Sequence, residues 1–193
     1  MRVISGSQKG RPLLAVPGKG TRPTVDKVKE SIFSMIGPYF QGGIVLDLYA
    51  GTGGLGIEAL SRGMEKGIFV DLDRKAIEVI KENLERTGFQ GQAEVYKNES
   101  GRALKALIKR GIKLDLVFLD PPYAHQRIES EIAAMHDHGL LQSGAYIVAE
   151  TDAEVRFSSQ IGAVHRIKEV EYGNTRVTVF QMKMLDSNEE GAD

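Results

Sequence analysis

The hydrophobic positions of the chain follow two alternating periodicities from residue 44 onwards. Short apolar runs predict buried strands, and the segments between them, with apolar residues every three or four positions, predict amphipathic helices. The predicted strands are Ile44–Leu48, Gly67–Asp71, Ala93–Tyr96, Leu114–Leu119 and Ala145–Glu150, and the predicted helices are Leu55–Arg62, Arg74–Arg86, Gly101–Arg110 and Arg127–Asp137. This strict alternation predicts an α/β fold with a parallel sheet that helices cover on both faces.

The C-terminal part departs from that alternation. Two further strands, 163–171 and 175–182, flank the pair Gly173-Asn174, which suits a tight turn between antiparallel strands. The predicted sheet therefore has seven strands, mostly parallel, and closes with an antiparallel hairpin. This plan resembles that of the Rossmann-like class I methyltransferases.

The first 43 residues predict an extension that precedes the sheet. Short strands at Arg2–Ser5 and Arg11–Ala15 would form a β-hairpin. A helix is expected to follow, with Thr24 as its N-cap, and to stop at Gly37-Pro38.

The charge distribution changes this picture more than the total charge does. With 193 residues, 41% of them hydrophobic, the chain is long enough for one packed core. We divide it into a basic extension (1–43), a sheet domain (44–183) and an acidic tail expected to be disordered (184–193). The formal charge is −1, yet the extension carries seven basic and two acidic residues, which favours a polyanionic partner. The candidate partner-binding bases in the extension are Lys9, Arg11 and Lys19.

Two absences exclude further classes of protein. The chain has no cysteine, which excludes a disulfide framework, thiolate nucleophiles and thiolate metal sites. No apolar run is long enough for a transmembrane helix, and the N-terminus lacks a signal sequence, so we expect a cytoplasmic protein.

A glycine-rich loop follows the first predicted strand. Gly51, Gly53 and Gly56 fit the pattern G-x-G-x-x-G, and Asp71 lies 20 residues after Gly51, where dinucleotide-binding folds place a ribose-binding acid. A NAD-dependent oxidoreductase is therefore one hypothesis. Asp47, four residues before the first glycine, favours S-adenosylmethionine instead, because a carboxylate would repel a pyrophosphate and attract an amine.

On this second hypothesis, the loops after the first three strands hold the ligand. The glycines allow the backbone to approach its methionine part, and Asp71 accepts hydrogen bonds from both ribose hydroxyls. Glu99 is a candidate acceptor for the amine of adenine, whereas Asp73 is predicted to cap the next helix. The candidate cofactor-binding residues in these loops are Asp47, Ala50, Gly51, Gly53, Asp71, Leu72, Asn98 and Glu99.

The fourth predicted strand delivers the tetrapeptide Asp120-Pro121-Pro122-Tyr123 to the same edge of the sheet. An exocyclic amine on a base is a poor nucleophile, because its lone pair is delocalised into the ring. Asp120 and the carbonyl of Pro121 can accept its two N–H bonds and aim that lone pair at a methyl group. Pro122 and Tyr123 are candidates for binding the base, and Tyr123 would stack on it. These roles require no metal, and the histidines at 125, 136 and 138 lack a convergent ligand set.

Three segments carry a resemblance to a known family. They are Arg22-Pro-Thr24 followed by Val28-Lys-Glu30, the run from Asp47 to Gly63, and the tetrapeptide that begins at Asp120. Together they resemble the RsmD-type family of bacterial 16S ribosomal RNA guanine-N2 methyltransferases, over residues 1 to about 183. The resemblance places Arg22 and Thr24 near the cofactor entrance. The family often has Glu at the position of Asp71 and usually Asp at that of Glu99, so both carboxylates are kept.

The resemblance implies a specific reaction and partner. S-adenosylmethionine would donate a methyl group to the exocyclic N2 of one guanine of 16S RNA, on an assembled or assembling small subunit. The basic extension would grip the RNA, and we expect the enzyme to be monomeric. Three alternatives stay open: a DNA adenine-N6 methyltransferase with the same tetrapeptide chemistry, the NAD-dependent oxidoreductase, and an RNA-binding assembly factor.

Overall fold

A computed structural model describes residues 1–18, 25–122 and 127–186 of the chain. The helices are α1 (Val25–Ile36), α2 (Gly54–Ser61), α3 (Arg74–Thr87), α4 (Ser100–Lys109) and α5 (Ile128–Asp137), with a 3-10 turn at Gln90–Gln92. The strands are β1 (Ile44–Asp47), β2 (Lys66–Asp71), β3 (Ala93–Lys97), β4 (Leu114–Leu119), β5 (Leu141–Asp152), β6 (Gln160–Ile161), β7 (Val164–Tyr172) and β8 (Thr175–Met182). Each predicted helix and strand of the sheet domain is present, within a few residues of its expected ends.

The strands form one mixed sheet in the order β3-β2-β1-β4-β5-β8-β7-β6. Strands β1 to β5 are parallel to one another, while β8 runs antiparallel to both β5 and β7. The expected class of fold is confirmed, but the described part of the sheet has eight strands rather than seven. The strand that was missed, β6, pairs only Gln160 and Ile161 with the start of β7, and two residues are too few to show a periodicity.

Helices cover both faces of the sheet, as the strict alternation predicted. On one face, α1, α2, α3 and the N-terminal segment enclose a core that includes Phe33, Phe69 and Phe118. On the other face, α4 and α5 pack on a second core around Leu46 and Phe180. No helix within the described ranges is long and apolar enough to cross a membrane.

Local signals account for several turns and helix ends. Gly173 and Asn174 form the two-residue turn between β7 and β8, and Gly173 takes a φ of +57° there. Asp73 caps α3, because its side chain accepts a hydrogen bond from the N–H of Lys75 at 2.9 Å. The predicted cap of α1, Thr24, and the last part of the acidic tail, 187–193, lie outside the described residues.

The predicted N-terminal hairpin pairs in the expected antiparallel sense, but the prediction of two regular strands is wrong. A single isolated bridge joins Arg2 to Pro12. The next two N–H groups, of Ile4 and Ser5, donate to the carboxylate of Glu58 at 2.9 and 3.0 Å. Backbone hydrogen bonds join Met1 and Val3 to the second segment, but beyond Val3 a side chain from α2 replaces that segment as hydrogen-bond partner.

Glu58 is the centre of a buried charged cluster between α1, α2 and the N-terminal segment. Its side chain is 0% exposed, and its carboxylate lies 2.8 Å from Nε of Arg62 and 3.3 Å from Nζ of Lys29. Nζ of Lys29 also donates to the carbonyl of Arg2 at 2.6 Å. Burial lowers the pKa of Lys29, and the nearby Glu58 carboxylate opposes that shift. The extension is thus attached to the sheet domain by ionic and backbone contacts as well as by apolar packing.

We predict that Glu58→Ala destabilises the fold by about 3–5 kcal/mol, because it leaves two buried cations without their counter-ion. The free energy of unfolding in urea measures this loss. The matched control is Glu78→Ala, which removes an exposed carboxylate paired with Arg74 on α3 and should cost no more than about 0.5 kcal/mol. Equal unfolding midpoints for the two variants would contradict the role given to Glu58.

Candidate active site

The ends of β1 and β4 lie side by side at the centre of the sheet. In the parallel register Asp47 is opposite Phe118, and the N–H of Leu48 donates to the carbonyl of Phe118 at 3.2 Å. Asp120 follows two residues later, beyond the end of β4. The carboxyl ends of parallel strands are where α/β sheets bind ligands. We call this edge of the sheet, with its loops after β1, β2, β3 and β4, the catalytic edge.

The glycine loop between β1 and α2 depends on two of its glycines for different reasons. Gly53 is the N-cap residue of α2 and takes a φ of +79°, a conformation that residues with a Cβ rarely adopt. Gly56 lies against the sheet, and a Cβ there would stand 2.4 Å from Cε1 of Phe69. Its N–H donates to Oδ2 of Asp47 at 3.1 Å. The close approach of α2 to the sheet therefore requires glycine at position 56.

Asp71 connects the loops after the first three strands. Its Oδ2 accepts from the N–H of Gly51 at 2.8 Å, and its Oδ1 accepts from the N–H of Asp73 at 2.9 Å. Its backbone carbonyl accepts from the N–H of Asn98 at 3.1 Å. Each carboxylate oxygen has a second lone pair, so Asp71 can also accept hydrogen bonds from ribose hydroxyls.

Asp47 lies beneath the glycine loop and is 3% exposed. Burial raises the pKa of its carboxyl to about 7, the hydrogen bond from Gly56 opposes the shift, and the nearby charge of Asp71 adds to it. The ionised form is therefore costly in the protein alone, and a positively charged ligand group would favour it. This is the electrostatic behaviour expected of a residue that attracts the ammonium group of an amino-acid ligand.

The loops after β2 and β3 contribute an apolar and an acidic side chain. Leu72 is 65% exposed between two aspartates, where its side chain offers apolar surface at the catalytic edge. Glu99 caps α4 by accepting from the N–H of Arg102 at 3.1 Å, and its Oε1 lies 3.2 Å from Nη1 of Arg127. Asn98 accepts from the N–H of Glu99 through its own side chain. Glu99 therefore has a structural role that the sequence did not indicate, and its contact with adenine stays a prediction.

The tetrapeptide after β4 is only partly within the described residues. Asp120 is exposed, Pro121 is buried and Pro122 is exposed. The burial of Pro121 anchors the turn against the protein, next to the exposed Asp120. Tyr123, Arg22, Thr24 and Lys19, to which the sequence assigned roles, lie outside the described residues.

Two of the three candidate partner-binding bases of the extension, Lys9 and Arg11, are within the described residues and lie away from the catalytic edge. Lys9 belongs to a turn whose neighbours are held at the end of α2, since the N–H groups of Ser7 and Gln8 donate to the carbonyl and hydroxyl of Ser61. The helix α2 starts at the glycine loop, so Lys9 is separated from that loop by about 12 Å of helix. Arg11, which follows this turn, is exposed.

A buried polar cluster beside the catalytic edge was not predicted. The hydroxyl of Tyr49 donates to Oε1 of Glu131 and lies 3.0 Å from Oγ of Ser100. Glu131 is 7% exposed, and its Oε2 has no hydrogen-bond partner. Burial raises the pKa of both Tyr49 and Glu131. Tyr49 lies in the conspicuous run that begins at Asp47, but its partners are 51 and 82 residues away in sequence, so no local pattern indicates them.

Among the described residues, no group of three or more His, Asp or Glu side chains is arranged to hold a metal ion. His136, one of the three histidines considered above, instead accepts a hydrogen bond from the N–H of Ala163 through Nε2 at 3.1 Å. It therefore supports the turn between β6 and β7.

The fold and the catalytic edge define a class I, S-adenosylmethionine-dependent methyltransferase. Residues 1–181 match the model of the family described as Conserved hypothetical protein 95, and the chain belongs to this family. The resemblance to RsmD-type enzymes is thereby confirmed. Because the cofactor is S-adenosylmethionine, the hypothesis of a NAD-dependent oxidoreductase is excluded.

Individual relatives agree with this assignment. The chain is 50% identical over 183 residues to the proposed rRNA methyltransferase YlbH of Bacillus subtilis, covering 95% of this chain and 100% of that protein. It is 37% identical over 155 residues to the Ribosomal RNA small subunit methyltransferase D of Haemophilus influenzae, covering 80% of each. The solved structure of the proposed methyltransferase yhhF from Escherichia coli superposes with a TM-score of 0.80 at 31% identity, over 96% of this chain and 99% of that one.

We predict that Gly56→Ala destabilises the protein by about 1–3 kcal/mol, because the added methyl group overlaps Phe69 and forces α2 away from the sheet. Urea unfolding measures this change. The control is Gly91→Ala, where an added Cβ has no atom within 4 Å. If both substitutions shift the unfolding midpoint equally, the close approach of position 56 to Phe69 is not the reason that this position requires glycine.

We predict that S-adenosylhomocysteine binds about 10-fold more tightly at pH 7.5 than at pH 5.5. The raised pKa of Asp47 leaves its carboxyl mostly protonated at the lower pH, and the ligand's ammonium group favours the ionised form. Calorimetry in buffers of different ionisation enthalpy should also detect proton release on binding below pH 7. Asp47→Asn should weaken binding and flatten the profile, whereas an equal slope in this variant would assign the pH dependence to another group.

Proposed function

We propose that the chain methylates the exocyclic N2 of a guanine in 16S ribosomal RNA, as a monomer acting on the small subunit or its assembly intermediate in the bacterial cytoplasm. The observation that carries this proposal is the placement of Asp120 and Pro121 at the end of β4, next to the end of β1 where Asp47 lies. A candidate acceptor for an amine is thereby adjacent to a candidate site for a cationic donor. The relatives named for small-subunit ribosomal RNA support the choice of target.

The catalytic edge fits the donor through complementary chemistry. When bound, S-adenosylmethionine supplies an electrophilic methyl group on a sulfonium. Asp47 would balance the ammonium group, and Asp71 would accept from the ribose hydroxyls. Leu72 offers apolar surface and Glu99 offers an acceptor for the adenine. The acidic character of this edge suits a cation and would disfavour a pyrophosphate.

Asp120 and Pro121 would bind the amine of the target base. A carboxylate and a carbonyl that accept both N–H bonds draw electron density to the nitrogen and fix the direction of its lone pair. The buried ring of Pro121 holds both acceptors on a rigid turn, so little reorganisation is needed when the base arrives. Proton loss from the methylated amine can follow transfer, either to water or to Asp120. The base must leave its helix to reach this edge, and Tyr123 would then stack on it.

The extension would contribute RNA affinity rather than base selection. Lys9 and Arg11 are exposed at a distance from the catalytic edge, which suits contacts with phosphates that flank the target. Lys19 would join them, while Arg22 and Thr24 would lie nearer the cofactor.

Transfer of a labelled methyl group from S-adenosylmethionine tests this proposal. The substrates are unmodified small ribosomal subunits, naked 16S RNA and unmethylated DNA, followed by nucleoside analysis. We expect N2-methylguanosine from a ribosomal substrate. N6-methyladenine from DNA would replace the target while keeping the chemistry. A chain that binds subunits and supports their assembly without transfer would instead be an assembly factor.

We predict that Asp120→Asn lowers kcat by at least about 100-fold, because the amine loses its ionised acceptor. The affinity for S-adenosylhomocysteine should stay within about threefold of the parent, since Asp120 is assigned to the base and not to the donor. Single-turnover transfer and calorimetry measure the two quantities. Asp186→Asn, at an exposed position after the last strand, is the matched control and should change neither. A large loss of ligand affinity in Asp120→Asn would overturn its assignment.

A further inference from the structure

A second basic surface lies outside the N-terminal extension. The segment from residue 97 to residue 113 contains six basic residues and one acidic residue, although the chain as a whole has a formal charge of −1. All six side chains are exposed, and four of them lie at the end of β3 and along α4. We call this surface the α4 basic face, and it consists of Lys97, Arg102, Lys105 and Lys109.

Helical spacing places three of these residues on one side of α4. Arg102, Lys105 and Lys109 are related by steps of three and four residues and are all exposed. The opposite side of the helix, formed by residues such as Leu104 and Leu107, is buried against the sheet. The three basic side chains are therefore distributed along about 10 Å of helix, a length comparable to three phosphate steps of a nucleic acid duplex.

The neighbouring acidic side chains do not neutralise this face. Glu94 is paired with Lys66 and Arg110, which lower the pKa of its carboxyl. Glu99 caps α4 and is paired with Arg127. None of the four residues of the α4 basic face forms an ion pair with another described residue. Their positive charge is thus available to an external partner.

Local stability does not explain this pattern. Like charges three and four residues apart on a helix repel each other, by about 0.2–0.5 kcal/mol for a pair. Arg102 is also in the first turn of α4, where the helix dipole disfavours a cation. A pattern that opposes helix stability and has no internal partner is more easily explained by function than by folding.

The position of α4 relates this face to the catalytic edge. The helix starts directly after Glu99, in the loop that also contains Asn98, so Lys97 and Arg102 lie where the cofactor loops converge. The helix packs on the sheet face opposite to that of α1, α2 and the N-terminal segment. Basic side chains therefore lie on both faces of the sheet: the α4 basic face extends from the catalytic edge along α4, and Lys9 and Arg11 lie on the other face, about 12 Å of helix from the glycine loop.

We propose that the α4 basic face binds phosphates of the RNA strand that flanks the target guanine. This inference rests on the proposed function and adds a second contact surface to it. A strand held on both faces of the sheet would cross the catalytic edge, where Asp120 can reach a base turned out of its stack. Phosphate contacts of this kind provide affinity and orientation without reading sequence.

Binding to a 16S RNA fragment at several salt concentrations tests the proposal. We compare the double variant Lys105→Gln/Lys109→Gln with Lys168→Gln/Lys183→Gln, which removes two exposed lysines from the other end of the sheet. At about 0.1 M salt, the α4 variant should bind RNA at least about fivefold more weakly. The slope of log affinity against log salt should fall by about 1.4–1.8, and adding Arg102→Gln should lower it by about 0.7–0.9 more. The control pair should stay within about twofold of the parent.

Activity measurements separate this surface from the rest of the enzyme. For the α4 variant, KM for RNA should rise while kcat at saturating RNA, the affinity for S-adenosylhomocysteine and the unfolding midpoint stay unchanged. Equal salt slopes for the α4 variant and its control, in a parent that methylates 16S RNA, would overturn this inference alone. A fall in kcat without a change in RNA affinity would also overturn it. A parent that does not methylate ribosomal RNA would instead defeat the proposed function.

Discussion

The buried carboxylate of Glu58 constrains the relative positions of three parts of the chain. It contacts buried cations from α1 and α2 and two N–H groups of the partly buried N-terminal segment. Because an uncompensated buried charge is very costly, these groups can only be buried together. The helix that carries Glu58 begins at the glycine loop, so the same contacts that hold the extension also fix where this loop stands above the sheet.

Carboxylates as well as glycines determine the conformation of the glycine loop at the catalytic edge. Asp47 and Asp71 bind the N–H groups of Gly56 and Gly51, on either side of the turn that Gly53 allows. The loop is therefore ordered by the protein itself, and a ligand that binds there need not supply the energy to shape it. The accompanying cost is the burial of the Asp47 carboxyl, which raises its pKa to about 7, and the nearby charge of Asp71 adds to that shift.

The sequence predicted those features whose signals are local. Strands and helices of the sheet domain, the cap at Asp73 and the turn at Gly173 each depend on a few adjacent residues, and all are present. Contacts between residues that are distant in sequence were not predictable. The residues next to Glu58 in the sequence do not show whether its side chain is buried or exposed. For that reason the prediction of two N-terminal strands was wrong, and the cluster of Tyr49 with Glu131 was not predicted. The position of Lys9 also depends on a contact between residues that are distant in sequence. Its charge therefore predicted a polyanionic partner, but not how far Lys9 lies from the catalytic edge.

The arrangement of charge follows from the need to bind two ligands of opposite sign. A sulfonium donor with an ammonium group favours carboxylates, whereas a polyanionic strand is repelled by them. If basic and acidic side chains were mixed at one place, each set would neutralise the other. In this structure Asp47, Asp71 and Asp120 lie at the catalytic edge, whereas Lys9 lies at the far end of α2 and Lys105 and Lys109 lie beyond the first turn of α4. Exposed charges are screened beyond about 8–10 Å at physiological salt, so a separation of this order is enough for both surfaces to act. The alternation of strands and helices creates that separation, since it places loops at an edge and helix surfaces on the faces.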